Sequence, residues 1–406
     1  SFQVLETELF PTKDFAAGTQ TNMSVLNLLY YPDEPGAYNY DVDPTPYSAG
    51  INAEGKLNDP KSRWAGIMRK MESTDFEATN IEYIEFWLMD PFAEEEFANN
   101  PGKLYINLGD VSEDILRDGR KFYENGMPTS TRVENVDTTI WGRVPIMQDL
   151  VSSFSNASEA RQYQDIGYDG LRDEDERSFF GENYLERIRD RFGENSVAYD
   201  QAYNDPSSDN YHYFRSTEWD RDEIHSSLLE RYKFFTGPEG NSPSDIQQTE
   251  NYTTSNSTVP NAEDINNDNT LSESERYYQY VIDIDPAKMV IGENHISDIL
   301  HAENIALPNN TIVSCTWYQF RIPVRQPDKV IGHIEDFSSI RFMRMFVTDF
   351  ERPMVLRFAT LDLVKGEWRT YTQNIQAPGE YEPNDISNNT TFDISAVSID
   401  ENSRRE

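Results

Sequence analysis

Apolar residues cluster in short stretches near both ends of the chain, and in several of these, such as 103–108 and 277–284, hydrophobic and polar positions alternate with a period of two, which is typical of β-strands. In the first part these stretches are 81–90 (IEYIEFWLMD) and 103–108 (KLYINL). In the last part they are 277–284 (YYQYVIDI), 317–324 (WYQFRIPV) and 340–349 (IRFMRMFVTD). All are rich in β-branched and aromatic residues, which favour a pleated, half-buried surface. The pattern therefore predicts strands at both ends of the chain.

The middle of the chain has a helical period instead. Apolar residues recur at helical spacing over 178–193 and 220–235, and Ser112 and Gly126 fit the two ends of a helix over 111–126. The polar, turn-rich stretch 238–257 is typical of a loop or linker. We therefore predict a helical segment between two groups of strands.

An internal repeat relates the two groups of strands. Segments 81–90 and 340–349 align as apolar with apolar and charge with charge, and an Asp-Phe pair precedes each of them. A second apolar strand follows each segment, at 103–110 and at 354–362. This shared order predicts a mainly β protein made of two related jelly-roll-like β-sandwiches joined by an α-helical connector. The predicted boundaries are 1–160 for the first sandwich, 161–276 for the connector and 277–406 for the second sandwich with a polar tail.

Composition narrows the classes of partner. The chain has 72 acidic and 35 basic residues among 406, a formal net charge of −37. This balance argues against binding to nucleic acid or to anionic membranes, which need clustered Lys and Arg. With Cys315 as the single cysteine, neither an internal disulfide nor a cysteine-based zinc site is expected. No apolar run approaches the roughly 18 residues that a membrane-spanning helix needs.

Segment 264–275 (DINNDNTLSESE) has oxygen-bearing groups at the spacing of a twelve-residue calcium loop. Position six of such a loop is left-handed, and Asn269 suits that conformation in place of the usual glycine. The predicted ligands, at positions one, three, five, seven, nine and twelve, are Asp264, Asn266, Asp268, the carbonyl of Thr270, Ser272 and Glu275. The alternative is an acidic capping turn.

A second candidate loop is 165–176 (DIGYDGLRDEDE), with Gly170 at position six. Its predicted ligands are Asp165, Asp169, the carbonyl of Leu171, Asp173 and Glu176. The alternative is a solvated loop before a helix that begins at Ser178. Because segment 264–275 leads into a strand pattern, both sites would be structural Ca²⁺ clamps and not sensors.

No motif for catalysis is present. The chain lacks a Gly-x-Ser-x-Gly turn, a phosphate-binding glycine loop and a histidine-centred triad order, so we expect it not to be an enzyme and predict no catalytic residue. Two aromatic stretches, 30–40 (YYPDEPGAYNY) and 210–214 (NYHYF), leave open a cell-surface glycan-binding or adhesin-type module.

Several long sequence segments together resemble one protein family. They include RWAGIMRKMESTDFEATNIEYIEFWLMDPF, GKLYINLGDVSEDILRDGRKFYENG, QDIGYDGLRDEDE, EDINNDNTLSESERYYQY and FSSIRFMRMFVTDFERPMVLRFATLDLVKGEWRTY. In order and over nearly the whole chain, they are similar to the central region of the SprA family, also called Sov. These proteins are outer-membrane translocons of the Bacteroidetes type IX secretion system and are needed for gliding motility.

The resemblance implies a role in protein export. Family members form a large β-barrel that conducts secreted proteins with a C-terminal signal domain, together with a PorV-type shuttle protein and a plug protein. The short, acid-interrupted strands do not fit a lipid-facing barrel wall. We therefore expect a soluble insertion of the outer-membrane protein at the extracellular face, as a cap or vestibule; the periplasmic face is the alternative.

Overall fold

The computed structural model describes residues 3–11, 21–36, 38–95, 97–116, 118–120, 123, 135–146, 170–171, 173–208, 219, 231, 233, 263–306, 311–366, 373–375 and 381–383. The strands are β1 Gln3–Leu5, β2 Asn22–Tyr30, β3 Trp64–Lys70, β4 Ile81–Met89, β5 Gly102–Asp110, β6 Val136–Thr138, β7 Arg143–Pro145, β8 Arg276–Ile284, β9 Ile296–Ala306, β10 Ile312–Pro323, β11 Lys329–Ile331, β12 Phe342–Thr348, β13 Met354–Lys365, β14 Gln373–Ile375 and β15 Tyr381–Pro383. The α-helices are α1 Glu6–Leu9, α2 Asp173–Phe179, α3 Glu186–Phe192 and α4 Val197–Asn204, with a π-turn at Gly181–Leu185 between α2 and α3.

Two antiparallel sheets make up most of the described fold. The six-stranded sheet has the order β1-β2-β13-β4-β10-β9, and the five-stranded sheet has the order β11-β8-β5-β12-β3. The inward side chains of both sheets belong to one hydrophobic core, so the sheets form a β-sandwich. Two further two-stranded sheets pair β6 with β7 and β14 with β15. The chain divides into two compact units, 1–365 and 366–406, and the second contains β14 and β15.

Alternation of buried and outward side chains explains why β5 is a strand. In β5, Leu104, Ile106 and Leu108 are fully buried, whereas the residues between them face the other side of the sheet. Phe86 of β4 stacks on Phe320 of β10 at 5.1 Å between ring centroids. Burial of each such ring contributes about 1.5–3 kcal/mol. The mainly β prediction is confirmed.

The predicted division into two separate sandwiches is wrong. β4 lies between β13 and β10, and β5 lies between β8 and β12, so each sheet contains strands from both ends of the sequence side by side. The physical reason is that each repeat crosses from one sheet to the other. β4 and β5 lie in different sheets, as do β12 and β13, so neither repeat completes a sheet alone. The first strand of each repeat pairs with the second strand of the other.

The Asp-Phe pairs before the two repeats meet in space, which supports their relationship. The backbone N–H of Phe76 donates to the carbonyl of Phe337 at 2.9 Å, and both rings lie in the shared core. Asp75 and Asp336 each accept a hydrogen bond from a backbone N–H two or three residues further along the chain. The sequence repeat thus corresponds to two similar turns that join within one core.

A second, smaller core holds the helices. Leu171, Phe180 and Ile188 pack against Val42 and Ile51 of the segment between β2 and β3. The predicted apolar stripe of 178–193 is confirmed, because Tyr184, Leu185 and Ile188 are buried. The helix predicted over 220–235 falls almost wholly outside the described residues. Among the described residues, no helix is long and apolar enough to cross a membrane.

Candidate functional site

A hydrogen-bonded polar site lies where the chain leaves β5 and returns at β8. β5 ends at Asp110 and β8 begins at Arg276, and these two residues are register partners. The whole stretch 111–275 therefore departs from and returns to adjacent strands of one sheet. We call the residues that close this point, Asp110, Glu113, Arg276, Arg341 and the loop 263–275, the insertion base.

Asp110 holds the two ends together by charge. Its side chain is only 4% exposed and accepts hydrogen bonds from Arg276 Nε at 2.6 Å and Arg341 Nε at 2.7 Å. Arg341 lies directly before β12, so three strands meet at one carboxylate. A buried carboxylate is stable only with such partners, because removal of its counter-charges leaves an uncompensated charge in a poorly solvated place.

Glu113 fixes the returning loop through backbone groups. Its buried carboxylate accepts hydrogen bonds from the backbone N–H groups of Ile265 at 2.9 Å, Asn266 at 3.2 Å and Ser272 at 3.1 Å. The backbone N–H of Glu113 donates to the carbonyl of Ser272 at 2.7 Å. Burial raises the pKa of Glu113, and the hydrogen bonds from Ser272, Asn266 and Ile265 act in the opposite direction.

This role of Glu113 overturns the helix predicted over 111–126. Residues 111–116 are irregular, as are the other described residues of that segment. Local capping and spacing signals favour a helix. The hydrogen bonds of Glu113 to a loop more than 150 residues away in sequence instead determine the backbone conformation of 111–116. Sequence reasoning missed Glu113 because no spacing rule connects it to that loop.

The loop 264–270 has the turn geometry predicted for it. Asn269, at position six, has φ 61°, which confirms the expected left-handed residue. Asp264 accepts hydrogen bonds from the backbone N–H groups of Asp268 at 3.1 Å and Asn269 at 2.9 Å. Asn266 Oδ1 accepts from the N–H of Asp268 at 2.8 Å, and Asp268 Oδ1 accepts from the N–H and hydroxyl of Thr270.

The closing residues of the loop have other partners. Glu275 pairs with Arg344, with its Oε1 3.1 Å from a guanidinium nitrogen, and also accepts from the N–H of Ser112. Ser272 Oγ accepts from Arg341 at 3.1 Å. Within the part of the chain that the structure describes, no group of three His, Cys, Asp or Glu side chains is placed to hold a metal ion. The side-chain oxygens of Asp264, Asn266 and Asp268 accept hydrogen bonds from the loop itself, and Glu275 is paired with Arg344, so calcium binding at 264–275 stays a prediction.

The second predicted calcium loop is only partly within the described residues. Asp165 and Asp169 lie outside them, and Gly170 has φ 70°. Leu171 is fully buried in the helical core, and Asp173 begins α2, so the helix starts before the predicted Ser178. Glu176 is buried and accepts from the backbone N–H of Ser207 at 3.2 Å. A calcium site at 165–176 stays a prediction.

The tyrosines of the stretch 30–40 are used in packing. Tyr30 is 7% exposed in the sandwich core, and Tyr40 stacks on Phe180 at 4.2 Å between ring centroids. The stretch 210–214 lies outside the described residues. The 30–40 segment therefore gives no support to the glycan-binding alternative.

A cluster of acids beside the insertion base makes Asp114 sensitive to pH. Burial, Asp118, Glu273 and Glu263 raise the pKa of Asp114 to about 6. Because this value lies above 3.8, the value for a free Asp, the folded state binds the proton more tightly than the unfolded state. The ionised carboxylate therefore costs stability above about pH 6, and this cost is absent below about pH 4.

The variant Asp114→Asn should therefore stabilise the protein at pH 8 by about 1–2 kcal/mol, a value already reduced for partial exposure of the side chain. Urea unfolding at pH 8 and pH 4 measures this effect, and we expect no gain at pH 4. A gain of equal size at both pH values would show that charge is not its cause.

Comparison with known proteins identifies the class. A family model described as "Motility related/secretion protein" matches residues 183–406, more than half of the chain. Its family is SprA, and the chain belongs to the SprA family of the type IX secretion system. Membership associates the chain with an outer-membrane secretion system. No curated protein matches the chain.

Proposed function

We propose that this chain is a rigid structural part of the protein-conducting channel of the type IX secretion system, needed for protein export and gliding motility. The observation that supports this most is the insertion base, where Asp110 ties the start and end of stretch 111–275 to the same sheet. A framework of this kind fixes the two ends of that stretch at one place on the sheet, which is what an anchored cap or vestibule requires.

The interleaved strands support the same proposal. Because each sheet contains strands from both ends of the sequence, the sandwich cannot separate into halves without exposing its core. A cap beside a pore through which secreted proteins leave needs such resistance. The partners that follow from the family are secreted proteins with C-terminal signal domains, a PorV-type shuttle protein and a plug protein. In this proposal the chain contributes no catalytic group.

The proposed position at the extracellular face has a direct test. Glu54 is exposed in a turn, so a Glu54→Cys variant in a Cys315→Ser background places the single thiol of these 406 residues in that turn. In the intact protein on living cells, we expect a membrane-impermeant maleimide to label this thiol without disruption of the outer membrane. Labelling only after disruption would place the sandwich on the periplasmic side and contradict the cap.

The proposed role in export is tested by loosening the insertion base in the intact protein. The Asp110→Asn variant should reduce secretion of cargo into the medium several-fold while the protein remains in the outer membrane. Asp298→Asn, an exposed position on β9, is the matched control and should secrete normally. Unchanged secretion by the Asp110 variant would contradict a structural role for the base.

Calcium at 264–275 is a separate proposal, supported by the left-handed Asn269 and the oxygens of Asp264, Asn266 and Asp268. A bound ion would neutralise the carboxylates of Asp264 and Asp268, and Glu275 would have to leave Arg344 to complete the site. With 1 mM Ca²⁺ and a dissociation constant of about 10 μM, binding would stabilise the fold by about 2.7 kcal/mol.

Thermal unfolding in 1 mM CaCl2 and in excess chelator measures this effect. We expect a higher Tm with calcium, a larger shift in Arg344→Ala because Glu275 is then released, and no shift in Asp264→Asn. Identical Tm values with calcium and with chelator, in the parent chain and in Arg344→Ala, would contradict calcium binding and show that protein contacts alone hold the loop.

A further inference from the structure

The outermost strand of the five-stranded sheet, β3, has an open edge. It pairs with β12 through seven consecutive residues, from Lys70 opposite Phe342 to Trp64 opposite Thr348. Among the described strands, none pairs with the other edge of β3. The strand at the opposite end of this sheet, β11, has only three residues. β3 therefore presents a row of backbone N–H and C=O groups to any extended segment that comes alongside.

The usual protection of an edge strand is confined to the last two residues of β3, the charged Arg69 and Lys70, and residues 64–68 carry none of it. β3 contains no proline, and its register with β12 has no bulge. Its apolar side chains are exposed to an unusual degree, with Trp64 at 70% and Ile67 at 41%. Sheets normally shorten, bend, charge or cover such an edge to prevent association. The apolar part of this edge, residues 64–68, is therefore a surface on which a further strand could pair.

Gly66 indicates which side chain an added strand would place opposite it. A Cβ at Gly66 would lie 2.9 Å from Phe346 Cβ and 2.8 Å from the carbonyl oxygen of Met345, so no larger residue fits without a shift. Trp64 meets the ring of Phe346 edge-on at 6.4 Å, and Phe346 stacks on Tyr105 at 4.6 Å. Alternation places Trp64, Gly66 and Met68 on one face. An aromatic side chain opposite Gly66 would fill the gap beside Trp64.

The positive charge at the C-terminal end of β3 indicates a second feature of the segment that would pair with it. Residues 61–70 include four basic residues and no acidic one, in a chain with a formal net charge of −37. Arg63 donates to backbone carbonyls, and Lys61 pairs with Glu351. Arg69 and Lys70 are exposed at the end of the strand. Opposite charges directly across a strand pair stabilise it, so acidic residues would face these two.

We propose that β3 binds an extended segment of another polypeptide, which adds to the sheet as a sixth strand. The segment carries acidic residues opposite Arg69 and Lys70 and an aromatic residue opposite Gly66. Backbone hydrogen bonds supply affinity in this kind of recognition, and the side-chain positions supply specificity. The inference rests on the edge itself and does not depend on the side of the membrane or on the proposed cap.

A designed peptide tests the proposal with the 406-residue chain. The fluorescent heptapeptide Glu-Glu-Thr-Val-Tyr-Thr-Thr, added antiparallel, places its acids opposite Lys70 and Arg69 and its tyrosine opposite Gly66. By fluorescence anisotropy we expect it to bind at least about tenfold more tightly than the same peptide with both Glu replaced by Lys. Hydrogen exchange of the amides of 64–70 should slow when the acidic peptide is bound.

Two charge reversals locate the site. Lys70→Glu should weaken binding of the acidic peptide by about tenfold. Lys329→Glu, on the opposite edge strand β11, should leave it unchanged. No binding up to millimolar peptide, equal affinity for both peptides, or protection at 329–331 in place of 64–70 would overturn the proposal. So would light-scattering evidence that the chain self-associates and that Lys70→Glu abolishes this, because a second copy would then occupy the edge.

Discussion

Replacement of Glu113 by alanine is expected to lower the free energy of unfolding by about 2–4 kcal/mol. The variant removes the acceptor of three backbone N–H groups, those of Ile265, Asn266 and Ser272. Hydrogen bonds to a charged group are among the strongest in proteins, and the amides left behind are partly shielded from water. Urea unfolding measures the loss, and hydrogen exchange should quicken at 263–275.

The matched control is Glu335→Ala. Glu335 is exposed on the surface, so its loss should change stability by no more than about 0.5 kcal/mol. If Glu113→Ala were as harmless as this control, the hydrogen bonds from Glu113 would not hold the loop, and the insertion base would be only a set of adjacent charges.

The second large effect is expected at Asn100, which joins the two repeats. Its buried side chain accepts from the N–H groups of Glu351 and Arg352 and donates to the carbonyls of Arg352 and Pro353. Asn100→Ala leaves these four backbone groups without their partner, and we expect a loss of about 2–4 kcal/mol. Denaturant unfolding monitored by tryptophan fluorescence measures this loss.

Asn39→Ala is the control for Asn100. Asn39 accepts one hydrogen bond, from the N–H of Gly36, in an exposed turn, so its replacement should cost less than about 1 kcal/mol. Equal costs at Asn39 and Asn100 would mean that the turn between β4 and β5 does not depend on the turn between β12 and β13.

Strand positions could be predicted from the sequence because they depend on local alternation. β4, β5, β8, β10, β12 and β13 all lie in short stretches rich in apolar residues, and β5 and β8 also alternate between apolar and polar positions. The partner of each strand could not be predicted, since alternation identifies a buried face but not the neighbouring strand. β4 pairs with β13 across more than 260 residues, and only the repeat itself carried a sign of this relationship. The repeat could be recognised in the sequence. That each repeat contributes one strand to each sheet could not.

The candidate site shows the same limit. The left-handed turn at Asn269 follows from short-range residue preferences, and its prediction is confirmed. The partners of Glu113 and Glu275 are determined by distant contacts, and Arg344 lies 69 residues from Glu275. The open edge of β3 was also missed, because the exposure of Trp64 depends on where the sheet ends.

The central structural claim is that strands from both ends of the sequence lie side by side in one sandwich. In a Cys315→Ser background, Lys103→Cys on β5 and Thr348→Cys on β12 place two thiols at paired positions of adjacent strands. Under mild oxidation we predict a nearly complete disulfide between them and none in Lys103→Cys/Lys329→Cys, whose strands are not neighbours. Absence of the first disulfide in the folded chain would contradict the interleaved sandwich.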